Sequence, residues 1–139
     1  MKLKILYFSL LGLIGMFCVY SAVNAQSQVI SQGYLVQAPI PIPSASATSA
    51  PITTHGLNLV GLQMPSSLTS TSITFAVSST LNGTYVPLYN SSGQVSYTVA
   101  ASRYISINPS DFNGVYYFEV IMGSTEAAAR TLTASMKGI

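Results

Sequence analysis

The strongest constraint in this sequence is a rhythm that runs from Leu57 to Lys137. Short stretches alternate apolar and polar residues one by one, and turn-forming residues interrupt them at near-regular intervals. Ser72–Ser79 is the clearest case: Ile73, Phe75 and Val77 fall on one side, Thr74, Ala76 and Ser78 on the other. A period of two places successive side chains on opposite faces of a strand, so such a stretch buries one face and leaves the other wet. Leu57–Met64 has a mixed period, broken at Gly61 and stopped by Pro65. Thr84–Tyr89 follows, with Pro87 marking an edge or a bulge, then Gln94–Ala100 and Arg103–Ile107. Asn82-Gly83 and Asn90-Ser91-Ser92-Gly93 are turns. In the corner Asn108–Gly114, Pro109 starts a helical turn and Phe112 plugs the end of the core.

Val115–Met122 reads as the most buried strand, with Tyr116, Phe118, Val120 and Met122 on its inner face. Gly123–Ala129 reads as a short connection containing one helical turn. Across it Glu126 and Arg130 pair at a spacing worth roughly 0.3 kcal/mol. Thr131–Lys137 closes the module, with Leu132, Ala134 and Met136 inward. Seven to eight short strands with turns every eight to twelve residues predict an all-β fold, an antiparallel, jelly-roll-like β-sandwich over residues 53–139.

Two segments precede it. Lys2 and Lys4 lead into an uncharged apolar run whose membrane-facing residues are Ile5, Leu6, Leu10, Leu11, Leu13, Ile14, Phe17 and Val19. Val23 and Ala25 occupy the small-residue positions that a signal peptidase reads, so residues 1–25 form a secretory signal. The alternative is an uncleaved anchor: the 19 residues of Ile5–Val23, at ~1.5 Å each, just span a ~30 Å hydrocarbon core. Residues 26–52 read as an extended Pro/Ser-rich linker or arm. Tyr34-Leu35-Val36 makes at most a short strand, and Pro39, Pro41 and Pro43 lack the donors that a central strand needs. In the arm reading, Ile40, Ile42 and Ile52 anchor this piece on a neighbouring subunit.

Charge narrows the function classes. Only 6% of residues are charged, against 49% apolar, where roughly 25% charge is usual. The formal +2 comes from Lys2 and Lys4, because beyond residue 25 Arg103, Arg130 and Lys137 balance Asp111, Glu119 and Glu126. A neutral module gains little from counterion release, so nucleic acid is not an expected partner. Weak self-repulsion favours association. A core of about 80 residues without disulfides or metal is marginal alone. A homo-oligomer follows, with a trimer among the options. The one cysteine, Cys18, lies in the apolar run.

No catalytic, cofactor-binding or metal-binding set is expected. His55 is the sole histidine, and no nucleophile-elbow motif accompanies it. Asp111, Glu119 and Glu126 are scattered rather than clustered as metal ligands. Glu119 is expected to face solvent or to pair with Arg103 or Arg130. The candidate interface or glycan contacts are Tyr85, Tyr89, Arg103 and Tyr104, because tyrosines with wet hydroxyls suit both uses. Asn82-Gly83-Thr84 and Asn90-Ser91-Ser92 match the N-glycosylation pattern but read first as turns.

One ordered set of pieces carries a resemblance. Gly61-Leu62-Gln63-Met64-Pro65 is followed by Leu68–Phe75, by Gly83-Thr84-Tyr85-Val86-Pro87-Leu88-Tyr89 and by Ala101-Ser102-Arg103-Tyr104-Ile105. Pro109–Gly114 and Gly123–Thr131 complete it. Together, over about residues 55–137, they resemble a family of small β-sandwich proteins encoded in the structural gene clusters of tailed phages and prophages. The resemblance implies a virion structural, decoration or spike component without catalysis or cofactor, whose partners are itself and other virion proteins. The apolar start departs from that family, whose members assemble in the cytoplasm. Either the virus has a membrane, entered through residues 5–23, or a bacterium exports the domain as a surface glycan-binding or adhesion module.

Overall fold

A computed structural model of the protein describes residues 35–138. The expected signal or anchor, the membrane-facing residues from Ile5 to Val19 and the first part of the linker lie outside the described residues. Within them the chain forms twelve strands: β1 (Leu35–Ile42), β2 (Ser46–Thr48), β3 (Ile52–Thr53), β4 (Asn58–Gln63), β5 (Ser72–Ser78), β6 (Val86–Pro87), β7 (Tyr89–Asn90), β8 (Gly93–Gln94), β9 (Ser96–Thr98), β10 (Tyr104–Ser106), β11 (Tyr117–Glu126) and β12 (Arg130–Lys137). The only helix among the described residues is a single 3-10 turn, Pro109–Phe112, capped by the Asn108 side chain, which accepts from the Ser110 N–H. The fold is all-β, and every strand pair is antiparallel.

One sheet has the order β1-β12-β4-β10. The other has β2-β11-β5-β6, with β3 also on β11 and β9 also on β5. A separate hairpin joins β7 to β8. Ile40, Ile42, Leu59, Leu62, Leu132, Ala134 and Met136 of the first sheet share one core with Ile73, Phe75, Phe118, Val120 and Met122 of the second. Phe112 plugs that core, packing edge-on against Phe75 at 5.0 Å and Phe118 at 5.7 Å between ring centroids. Such edge-to-face pairs add to the area term of burial.

The structure corrects the sequence reading in several places. The module does not begin at Thr53. Leu35–Ile42, read as linker, pairs residue for residue with β12 from Leu35↔Lys137 to Ile42↔Arg130. Ile40 and Ile42 are fully buried in this chain's own core, so they do not anchor an arm on a neighbour. The prolines permit this because β1 is an edge strand. Alternate residues of an edge strand aim their N–H at the partner and at solvent, and Pro39 and Pro41 share one parity. One register therefore sends both missing donors outward.

The mixed period of Leu57–Met64 is a β-bulge. Pairing with β12 passes from Ser135↔Gly61 to Met136↔Leu59, and the skipped Val60 lets both Leu59 and Leu62 face inward. The connection read as a helical turn at Gly123–Ala129 is mostly strand, since β11 runs on to Glu126. Tyr116 does not lie on the inner face. It precedes β11 and is 60% exposed, its carbonyl taken by the Thr54 N–H. Thr84–Tyr89 and Gln94–Ala100 are not continuous strands but short ladder fragments, β6 to β9.

Candidate functional site

The four candidate contact residues do not converge. Tyr104 stands on the outer face of the first sheet, 53% exposed. Its phenol lies over Gly61, where any Cβ would overlap the ring. Arg103 beside it is exposed. The backbone there is pinned: the Met64 N–H donates to the Arg103 carbonyl at 2.7 Å, and the Ser102 N–H to the Pro65 carbonyl at 2.8 Å. Ser102 takes a left-handed φ of 59°.

Tyr89 sits on the β7–β8 hairpin, 65% exposed. Next to it, the Asn90 amide donates to the Asp111 carboxylate at 3.3 Å, and Asn108 does so at 3.5 Å. Both sequons are turns, and the Asn90 side-chain oxygen is occupied by the Ser92 N–H.

Tyr85 belongs to the outer face of the second sheet. The pairs Val77↔Val86 and Ala76↔Pro87 set β6 beside β5, and carrying that register one residue further puts Tyr85 across from Ser78. On the other side of β5, Tyr117 pairs with Ser78 and Glu119 with Ala76. Two rows result, Tyr117–Ser78–Tyr85 and Glu119–Ala76–Pro87. The Tyr85 hydroxyl donates to the Leu81 carbonyl at 3.0 Å. Burial first, then the charges of Glu119 and Tyr117, push that phenol above its ordinary pKa. Glu119 is therefore paired with neither Arg103 nor Arg130, and the single ion pair among the described residues is Arg130–Glu126. The grouping of Glu119 and Tyr117 with Tyr85 escaped the sequence reading, because it depends on β6 docking beside β5 and no local pattern encodes that.

Tyr97 and His55 lie apart from these groups. Tyr97 is half-buried, its edge on Phe75 and its hydroxyl accepting the Asn108 N–H at 3.1 Å. His55 is exposed in a turn at φ 53° next to Gly56. Among the described residues, no group of three or more His, Cys, Asp or Glu is placed to hold a metal ion.

Glu126 is fully buried. Its carboxylate accepts from the Thr69 and Ser70 N–H groups at 2.9 to 3.0 Å and from Arg130 Nε at 3.5 Å. Burial alone would raise its pKa, but the backbone donors of Ser70 and Thr69, aided by the Thr69 side chain and Arg130, hold it below the usual value. The surface also carries open clefts among the described residues. One of about 380 Å³ lies between Asn58, Pro109, Asn113 and Lys137; another, of about 300 Å³, lies between Ser78, Thr84, Val86 and Val115.

No family model matches the chain, and no curated protein matches it. Among solved structures the chain is similar to the crystal structure of the SPBc2 prophage-derived protein YomS, with a TM-score of 0.47 and 14% sequence identity over 76% of this chain and 96% of that chain.

Proposed function

We propose that the protein is a non-enzymatic virion structural protein, a capsid-associated, decoration or spike component that assembles through its β-sandwich. The observation that supports this best is the character of the two outer sheet faces. The first carries Tyr104 and, at one end, Lys137; the second carries Tyr85, Tyr117 and Glu119; each is otherwise a neutral ground of Ser, Thr, Gln and Pro. Aromatic-rich, charge-poor surfaces suit burial between subunits. The ordered resemblance over residues 55–137 points the same way. Residues 1–25 would tether the module to a membrane or direct its export. Quantitative mass spectrometry of purified particles tests the reading: the protein should be present at a fixed stoichiometric multiple, and its absence overturns the proposal. The same experiment reads the N-terminus, where a start at Gln26 means cleavage and an intact Met1 means a retained anchor.

A second reading, an exported glycan-binding module, rests on exposed Tyr89 beside the Asn90–Asp111 hydrogen bond, a ring and polar pair of the kind that grips a sugar. Loss of glycan-array binding on Tyr89→Ala would support it, and an array without hits for the folded protein removes it.

A further inference from the structure

The cleft of about 380 Å³ gathers groups of one chemical kind, at the end of the first sheet where the 3-10 turn lies against β4. Asn58 and Lys137 stand opposite each other across the β4–β12 pair, and an opposed pair shares a face. Asn58 is only 5% exposed, and its amide donates to Asn113 Oδ1 at 2.6 Å. With that oxygen taken, Asn113 keeps its amide nitrogen as a donor. The Ser110 N–H is held by Asn108 Oδ1 at 3.2 Å, so the turn that carries Ser110 and Asn113 is fixed from both ends. Val60 is the residue skipped by the β-bulge. A bulge re-aims a side chain, and this one gives Val60 to the cleft, with Pro109, while Leu59 and Leu62 go to the core.

Charge and size select the ligand. Among the described residues none that lines the cleft is acidic. Asp111, the acid of the same turn, accepts from Asn90 and Asn108 instead. Lys137 brings one positive charge and is exposed. One ammonium matches one negative charge. A phosphate carries up to two charges and three acceptor oxygens, which arginine forks or several cations meet better. The volume is near the lower end of the roughly 300–1,000 Å³ common for small-molecule sites, enough for one ring. Val60 and Pro109 offer apolar surface to the C–H face of a sugar, and Ser110 and Asn113 offer hydrogen bonds to its hydroxyls.

We propose that this cleft binds a uronic-acid unit, a sugar ring bearing a carboxylate, with Lys137 on the carboxylate and Ser110 and Asn113 on ring hydroxyls. The inference goes beyond the assembling role proposed above and does not depend on it. It also uses none of the residues around Tyr89.

Calorimetric titration of the full-length protein with sodium glucuronate, glucose, acetate and inorganic phosphate tests it, with NMR of the amide groups to locate the contact. Glucuronate should saturate one site per chain and bind roughly fivefold or more tighter than each of the other three. It should also shift the side-chain amide signals of Asn58 and Asn113. Lys137→Gln should bring glucuronate down to the level of glucose and leave glucose unchanged, and Lys137→Arg should restore the preference. Lys137 is exposed, so these replacements read binding rather than folding. Tyr89→Ala should leave glucuronate binding as it is. No saturable glucuronate binding, equal binding of glucose, acetate or phosphate, a preference that survives Lys137→Gln, or a loss caused by Tyr89→Ala overturns the proposal.

Discussion

At the scale of single residues, Glu126 shows what a spacing can and cannot reveal. The i, i+4 relation to Arg130 was legible in the sequence, and the pair exists. Its main partners were not legible, because Thr69 and Ser70 lie 57 and 56 residues away. The carboxylate clamps the loop before β5 through backbone donors, and that role exceeds a surface pair. Glu126→Gln turns an amide toward N–H groups that need an acceptor, and should cost roughly 2–4 kcal/mol in a urea titration at pH 7. The pH dependence follows from the same geometry. The folded carboxyl holds its proton less tightly than the ordinary 4.5, so the unfolded chain protonates first as pH falls. The stabilisation is complete above that value and is lost as pH drops through the lower folded one. Urea midpoints measured from pH 7 to pH 3 should fall more steeply for the wild type than for Glu126→Gln; equal slopes would remove the clamp. Gly61 is a second such residue. Its neighbour across the sheet, Tyr104, needs the missing Cβ, so Gly61→Ala should displace the phenol and cost about 1–3 kcal/mol. Near-ultraviolet circular dichroism should change with it, and an unchanged tyrosine signal would contradict the packing.

At the scale of elements, clean alternation was read well and disguised alternation was not. β5 and β12 match their expected extents because each has a strict period and well-marked ends. In β1 the inward set Val36, Ala38, Ile40 and Ile42 alternates equally well, but Pro39 and Pro41 between them read as a linker. The end of β11 has an Ala-rich sequel that suggests a helical turn, yet its Gly123 N–H is held by Ser70 Oγ at 2.9 Å and Glu126 by the loop. Tertiary contacts decided the outcome there. The consequence for β1 is quantitative. Two fully buried isoleucines contribute about 1.5–3 kcal/mol each, a large share of a total of about 5–15 kcal/mol. Ile40→Ala should therefore lower stability by roughly 2–5 kcal/mol. A chain beginning at Thr53 should show no cooperative unfolding. A folded truncated module would mean that β1 is dispensable and the linker reading correct.

At the scale of the whole molecule, the class of fold was visible from turn spacing and periodicity, whereas the partnering of strands was not, because almost every ladder is long-range. Successive strands change sheets: β4 lies in the first, β5 in the second, β10 in the first, β11 in the second, β12 in the first. The same wiring hid the Tyr85–Glu119–Tyr117 grouping. It also constrains folding. The first described strand pairs with the last, Leu35 opposite Lys137, and β12 lies between β1 and β4. The first sheet cannot form its centre until nearly the whole chain is available. Closing such loops must precede the contacts that reward it, which places sandwiches of this kind in the range of about milliseconds to seconds, far slower than helical chains of equal length. Stopped-flow refolding should show that range. Arg130 and everything after it should be indispensable, since a chain ending at Ala129 loses the strand that joins β1 to β4. Microsecond refolding, or a cooperative unfolding transition in the chain ending at Ala129, would mean that the second sheet with its Phe75, Phe112 and Phe118 cluster folds on its own and that the first sheet only docks onto it.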